Sequence, residues 1–146
     1  MIDVAVFNAH PRVRVRRAAL AEAIRCVARG ERRRRAAVSV VLIGNRASAR
    51  MNRRYLGHAG GTDVISFPLG EGDLIEGEIY VNLDKAREQA RQYRVTLAEE
   101  VSRLVVHGTL HLFGYDDRTA PLARRMKRRE DLYVGVLSSG RTSRWT

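Results

Sequence analysis

The pattern of apolar and polar positions predicts four strands. Strands alternate in side-chain direction and favour β-branched residues, and the segments with that character are 2–8, 36–44, 64–68 and 78–83. The run "AAVSVVLIG" at 36–44 is almost entirely apolar. A strand of this kind is buried on both faces, so we predict that it is central in the sheet.

Helical spacing of apolar residues predicts five helices, at 13–30, 46–56, 84–93, 97–113 and 119–137. Gly30 is a stop signal for the first helix. Thr96 and Glu99 have the spacing of a capping box before the fourth, and Asp84 is the expected cap of the third. Strands mixed with helices, without strict βαβ alternation, predict a small α+β domain.

Length and composition favour one compact domain. The chain has 146 residues and is 45% hydrophobic, which is enough for a single core. We predict one domain over residues 1–138 and a flexible C-terminal tail over 139–146. No apolar run is long enough to cross a bilayer, and the N-terminus lacks signal-peptide features. The single cysteine, Cys26, fits a reducing compartment, so a cytoplasmic location is expected.

The net charge of +11 lies entirely in the first part of the chain. Residues 1–60 contain fourteen arginines and three acidic residues, whereas residues 61–146 contain thirteen basic and thirteen acidic residues. This asymmetry favours a polyanionic partner, most simply nucleic acid. Compositional bias toward arginine is the alternative, because only Lys85 and Lys127 are lysines, but it does not explain the scarcity of acids.

The segment "HGTLHLFGYDD" at 107–117 has the spacing of a metal site. His107 and His111 are four residues apart on the predicted central helix, so both can face one cation. Gly114 can end the helix in a left-handed conformation and return the chain. Asp117 can then reach the same cation through a carboxylate oxygen. The alternative is a buried helix whose histidines form internal hydrogen bonds.

Gly108 separates this segment from the zinc proteases, which carry a glutamate base directly after the first histidine. Glu100 lies two turns before His107 and is the other candidate base on the helix. As a first-turn glutamate near the helix dipole, it is expected to be solvated.

Three sequence blocks resemble the YbeY family of bacterial endoribonucleases. "HGTLHLFGYDD" is similar to the family signature H-G-x-L-H-L-x-G-Y-D-H, "MNRRYLG…GGTDVISFP" is similar to L-N-x-x-Y-R-G-x-D-x-P-T-D-V-L-S-F-P, and "GEIYVNLDKAREQA" is similar to its next strand and helix. The resemblance implies a four-stranded mixed sheet surrounded by about five helices. It also implies a single-strand-specific, metal-dependent endoribonuclease acting in small-subunit rRNA 3′-end maturation and ribosome quality control.

The resemblance implies one Zn²⁺ held by His107, His111 and the residue at position 117, at the C-terminal end of the central helix. Its expected partners are precursor rRNA and the small ribosomal subunit, with no membrane. Asp117 stands where the family has a third histidine. A carboxylate lowers the net charge of the site and admits harder divalent metals.

A second departure from the family pattern is Leu56, which replaces an arginine that would help to bind phosphate. Arg53 or Arg54, one turn earlier, can substitute, or can simply form a solvated helix face. The candidate catalytic residues are therefore His107, Arg53 and Arg54. The loop at 57–63 lacks the family's D-x-P, and His58 within it is a surface residue or faces the site.

Three functions are consistent with the sequence. The first is a metal-dependent endoribonuclease. The second is another zinc-dependent hydrolase such as a peptidase, which Gly108 disfavours. The third is a ribosome-associated RNA-binding factor with weak or no catalysis, which Leu56 and Asp117 favour.

Overall fold

The computed structural model describes residues 1–56, 62–70 and 74–139, with the backbone alone at 55 and 56. Its elements in chain order are β1 (Ile2–Asn8), α1 (Arg17–Gly30), β2 (Ala36–Ile43), α2 (Asn45–Met51), a π-helical turn (Asn52–Leu56), β3 (Val64–Pro68), β4 (Ile75–Asn82), α3 (Leu83–Tyr93), α4 (Leu97–Leu112) and α5 (Ala120–Ser139).

The four strands form one mixed sheet in the order β1-β2-β4-β3. Strand β2 pairs in parallel with both β1 and β4, and β3 pairs antiparallel with β4. The predicted central position of β2 is confirmed. Five of its side chains are buried in the core, at Ala36, Val38, Val40, Leu42 and Ile43. The α+β class, the four-stranded mixed sheet and the five helices agree with the sequence-based expectation.

Helix α4 is the centre of the helical layer. It contacts α1, α3 and α5 as well as strands β3 and β4. Its buried residues are Glu100, Val101, Leu104, Val105, Val106, Gly108, Thr109, Leu110 and Leu112. From residue 104 to residue 112, only His107 and His111 remain partly open to solvent, because the other side chains pack inside the protein.

Two predicted boundaries were wrong. Helix α1 begins at Arg17 rather than at 13, because the buried His10 ring binds the preceding segment. Its Nδ1 accepts hydrogen bonds from the backbone N–H groups of Arg12 (3.1 Å) and Val13 (3.0 Å). Strand β4 begins at Ile75 rather than at 78, since pairing with β2 extends through a segment rich in turn residues.

The cap of α3 was also assigned to the wrong residue. The Asn82 side chain accepts hydrogen bonds from the first N–H groups of the helix. The Asp84 carboxylate instead accepts from the backbone N–H of Asn45 (2.9 Å) and pairs with His10 Nε2 (2.8 Å). Asp84 therefore connects α3 to the start of α2 and to the segment after β1.

Among the described residues, no helix has both the length and the apolar character needed to cross a bilayer. Helix α5 ends at Ser139, the first residue of the predicted tail. The rest of that tail, 140–146, lies outside the described residues.

Candidate metal centre

The three residues predicted to bind a metal come together at the end of α4. His107 and His111 lie one turn apart, with their ring centroids 4.8 Å from each other. The Asp117 Oδ2 atom is 4.0 Å from His107 Nε2 and 3.6 Å from His111 Nε2. One ligand atom from each of the three residues lies within 4.8 Å of the other two. This cluster can hold a metal ion.

Each histidine is oriented through its other ring nitrogen. His107 Nδ1 lies 2.7 Å from Glu130 Oε1, and His111 Nδ1 lies 3.1 Å from the backbone carbonyl oxygen of Tyr115. Both partners are acceptors, so each Nδ1 donates a proton. Both Nε2 atoms therefore carry a free lone pair on the side of Asp117, which is the form that a metal requires.

The turn after α4 returns Asp117 to the histidines. Gly114 has φ = +100°, a conformation that L side chains rarely adopt. Its N–H donates to the His111 carbonyl (3.0 Å), and the Tyr115 N–H donates to the Leu110 carbonyl (3.0 Å). These bonds close the helix in the glycine-dependent manner that the sequence predicted.

The geometry approaches that of a tetrahedral ion, but ligand atoms up to 4.8 Å apart must move closer together to bind one. Ligands about 2.0–2.2 Å from zinc are about 3.4 Å apart in a tetrahedron, close to the 3.6 Å between Asp117 and His111. The 4.0 Å to His107 is wider. Because the Asp117 side chain is half exposed, it can rotate to shorten that distance. Two imidazoles and one carboxylate leave a fourth position open for water or substrate.

Burial and neighbouring charges shift the pKa values of His111 and Glu130. Burial lowers the pKa of His111, and the neighbouring His107 lowers it further, against the opposing effect of Asp117. Burial alone would raise the pKa of Glu130. The hydrogen bond and the charge of His107, together with Arg103 and Lys127, outweigh burial and hold the pKa of Glu130 below its ordinary value.

The sequence-based interpretation missed Glu130 and misplaced Glu100. Both are almost completely buried, with 2% and 1% of their surface exposed. The expectation that Glu100 is solvated was wrong, because it forms a salt bridge with Arg103 and accepts a hydrogen bond from Gln89 of α3. One signal for Glu130 was available in the sequence. It lies at helical spacing with Met126 and Tyr133, and a carboxylate on a buried stripe must have a partner.

Gly108 is required by close packing between α4 and the sheet. A Cβ atom at this position would lie 2.8 Å from Ile79 Cγ2 and 3.0 Å from Ser66 Oγ. The Ser66 hydroxyl also donates to the Gly108 carbonyl (3.1 Å). The glutamate of zinc proteases therefore has no space here.

Basic residues from the N-terminal and C-terminal halves of the chain lie beside the Gly114 turn. The Arg33 guanidinium lies 5.8 Å from the Phe113 ring centroid, and that of Arg125 lies 5.2 Å from the Tyr115 ring centroid. Both arginines line a cavity of about 210 Å³ that includes Gly114 and its neighbours. The fold thus brings Arg33, from the basic run at 32–35, to the C-terminal end of α4.

Arg53 and Arg54 are exposed residues of the π-helical turn. They line a shallow depression of about 590 Å³ with Arg50 and Tyr80. Of the described residues that line it, none belongs to the histidine–aspartate cluster. The catalytic role assigned to these arginines stays a prediction, and the Leu56 side chain and His58 lie outside the described residues.

Comparison with known proteins identifies the family. The model of the family "Endoribonuclease YbeY" matches residues 8–138. An Endoribonuclease YbeY from Chlorobium luteolum is 43% identical over 120 residues, which is 82% of this chain and 88% of the relative. One from Chlorobaculum parvum is 40% identical over 129 residues, or 88% and 91% of the two chains.

The fold also resembles the solution structure of the protein TM1509 from Thermotoga maritima. The two superpose with a TM-score of 0.61 and 25% identity, over 98% of this chain and 95% of the other. The family match spans strands β2, β3 and β4 and the histidine-bearing helix. The resemblance that the three motifs indicated is therefore confirmed, and this chain belongs to the YbeY family of endoribonucleases.

Proposed function

We propose that this protein is a metal-dependent endoribonuclease that cleaves single-stranded RNA. One observation carries the proposal: the Nε2 atoms of two oriented histidines and the carboxylate of Asp117 converge on a single point. Family membership supports RNA cleavage as the reaction. The donor set supports metal dependence, with Zn²⁺ as the expected ion and harder divalent ions as alternatives because of Asp117.

The candidate site residues would have two roles, metal binding and RNA binding. His107, His111 and Asp117 would hold the cation, and a bound divalent cation supplies a Lewis acid that polarises phosphoryl oxygens and acidifies water. Exposed arginines would bind the RNA backbone and neutralise charge that develops on phosphate. Arg33 and Arg125 lie beside the Gly114 turn that precedes Asp117, whereas Arg53 and Arg54 are proposed for this task from their position in the family motif.

The cellular role is proposed from the same family resemblance. We expect residues 1–138 to act as one catalytic domain in the cytoplasm on precursor rRNA of the small ribosomal subunit. The processes would be 3′-end maturation and ribosome quality control. The concentration of positive charge in residues 1–60 supports binding to a structured RNA assembly.

A metalloprotease is disfavoured by packing as well as by sequence. The protease base occupies the position of Gly108, where a side chain would collide with Ile79. Glu100 cannot replace it, because Arg103 and Gln89 bind its carboxylate inside the protein.

An RNA-binding factor with weak catalysis is the second candidate. It is favoured by Asp117 in place of the family's third histidine and by Leu56 in place of the arginine. Under this alternative, RNA would bind to the arginines with little or no metal-dependent cleavage.

The test is cleavage of an end-labelled single-stranded RNA by metal-free protein, with and without added Zn²⁺ or Mn²⁺. We expect cleavage only with metal, and at least ~100-fold less with His111→Ala, since loss of a ligand exceeds the 10–100-fold effects of outer residues. Asp117→Ala should also lower cleavage, and Asp116→Ala is its matched control, because Asp116 pairs with Arg118 and lies outside the cluster.

Cleavage that survives both chelation and His111→Ala would overturn the metal mechanism. RNA binding by the metal-loaded protein without cleavage would favour the second candidate instead.

A further inference from the structure

A buried polar chain connects α3 and α5 to His107. Gln89 Nε2 donates to Glu100 Oε2 (2.7 Å), and Arg103 pairs with Glu100 through Nε (3.0 Å) and Nη2 (2.5 Å). The same guanidinium reaches Glu130 Oε2 through Nη1 (3.2 Å). The other oxygen of Glu130 receives His107 Nδ1 at 2.7 Å.

Both oxygens of Glu130 have partners within the protein. Oε1 is bound by His107, while Oε2 is bound by Arg103 and lies 3.7 Å from the ammonium group of Lys127. Glu130 is therefore turned away from the metal cluster, although it touches one of its members. A carboxylate used in this way acts on the histidine rather than on the ion.

The buried chain places a carboxylate directly behind the His107 ring. It contains two carboxylates, Glu100 and Glu130, and one guanidinium, while Lys127 lies at the solvent-exposed rim, 3.7 Å from Glu130. Glu130 contacts Nδ1 of the ring, whereas Asp117 lies near Nε2. Such a carboxylate favours a cation on the opposite side of the imidazole, where Nε2 is free, and makes that nitrogen a stronger donor.

We propose that Glu130 is a positioning residue for metal binding, which holds the proton of His107 on Nδ1 and directs the Nε2 lone pair toward Asp117. Arg103 fixes Glu130 in the orientation that this requires. The inference extends the proposed metal-dependent function, and the predicted effect of Glu130 on metal affinity rests on that function. The tautomer of His107, however, can be measured without any metal.

His111 supplies an internal control. Its Nδ1 donates to a backbone carbonyl of the Gly114 turn, and among the described residues no carboxylate makes this contact. Loss of the Glu130 side chain should therefore change the His107 ring and leave the His111 ring unchanged. General damage to the fold would change both.

The experiment begins with long-range ¹H–¹⁵N spectra of the histidine rings in metal-free protein, above the ordinary imidazole pKa. Wild type should show His107 and His111 protonated on Nδ1. Glu130→Ala should move the His107 proton to Nε2 in a large share of molecules. Glu130→Gln, whose amide can accept or donate, should give a mixture. If Glu130→Ala does not fold, Glu130→Gln decides the question.

The second readout is Zn²⁺ affinity, measured by competition with a chelator. Outer partners of metal-binding histidines contribute about 10–100-fold to affinity, so Glu130→Ala should weaken Zn²⁺ binding by about that factor. Asp131→Asn is the matched control, because it removes a neighbouring exposed carboxylate on the same helix that also pairs with Lys127. It should leave affinity within about twofold.

An unchanged His107 tautomer in Glu130→Gln would overturn the inference. So would Zn²⁺ affinity that stays within about twofold of wild type in a folded Glu130 variant. Failure of the proposed function gives a different pattern: wild type would bind no Zn²⁺, yet its His107 would still carry the proton on Nδ1.

Discussion

His107 and His111 lie one turn apart on the same helix, yet different parts of the molecule hold them. His107 depends on a buried side chain, Glu130 of α5, which is itself paired with Arg103. His111 depends on the backbone, because its partner is the carbonyl oxygen of Tyr115 in the turn that follows α4. Buried charge positions the first ring, and chain conformation positions the second.

The difference shows which structural change would disturb each histidine. Asp117 follows the same turn that supplies the partner of His111, so two of the three ligand residues depend on the turn at Gly114. That turn is tied to the N-terminal half of the chain, since the Tyr115 hydroxyl donates to Glu31 Oε1 (2.7 Å). Glu31 is further bound by Arg129 and by the Tyr133 hydroxyl.

Removal of either imidazole ring should lower Zn²⁺ affinity more than any other change predicted here, whichever part of the molecule holds that ring. His107→Ala and His111→Ala both delete one of three ligands, so each should lower Zn²⁺ affinity by at least ~100-fold, more than loss of an outer partner. Isothermal titration with Zn²⁺ measures this. Equal affinity in either variant and wild type would mean that the missing histidine is not a ligand.

Gly114→Ala should disturb His111 and Asp117 and leave His107 in place. Alanine at φ = +100° is strained by roughly 1–3 kcal/mol, so the turn should shift and move Asp117. We expect weaker Zn²⁺ binding, with the His107 ring still protonated on Nδ1. Gly135→Ala on α5 is the control, because it adds a methyl group in open space and should stabilise by about 0.5–1 kcal/mol. Wild-type stability and affinity in Gly114→Ala would contradict this role of the turn.

Glu31→Gln should weaken the anchor of the turn and change how stability depends on pH. Burial raises the pKa of Glu31, but hydrogen bonds from Tyr133, Arg129 and Tyr115 outweigh it and hold the pKa below its ordinary value. A carboxylate with a lowered folded-state pKa stabilises above its unfolded pKa, and that stability is lost as pH falls through the folded value.

The variant should therefore lose about 1–3 kcal/mol near neutral pH, and less as the medium becomes acidic. Denaturant unfolding across that pH range measures both quantities. Glu22→Gln removes a more exposed acid that pairs with Arg29, and should cost under ~1 kcal/mol. A Glu31→Gln loss that is independent of pH would contradict the assignment.

The smallest expected effect concerns the contribution of Arg33 and Arg125, beside the Gly114 turn, to RNA affinity. Arg33→Gln and Arg125→Gln should each weaken single-stranded RNA binding about equally across RNA sequences. Each should also reduce the slope of log affinity against log salt concentration by the amount that corresponds to about one phosphate contact at most. Arg91→Gln, an exposed position on α3, should leave the slope unchanged. If the three variants have the same RNA affinity and the same salt slope, the surface beside Tyr115 has no special role in RNA binding.

The metal cluster was predictable from sequence because its geometry is local. A helix places His107 and His111 on one side, and Gly114 allows the return of Asp117. The networks behind the cluster were not predictable in this way. Glu130 meets His107, and Glu31 meets Tyr115, across separations of 23 and 84 residues. Glu100 was misjudged because the pattern of its own helix does not show that Gln89 of α3 binds its carboxylate.

The central claim is that His107, His111 and Asp117 hold one metal ion. Elemental analysis of the purified wild type, Asp117→Ala and Asp116→Ala proteins after dialysis tests it most directly. The account predicts about one divalent ion per chain in wild type and in Asp116→Ala, and a clear loss in Asp117→Ala. Equal metal content in wild type and Asp117→Ala would contradict it.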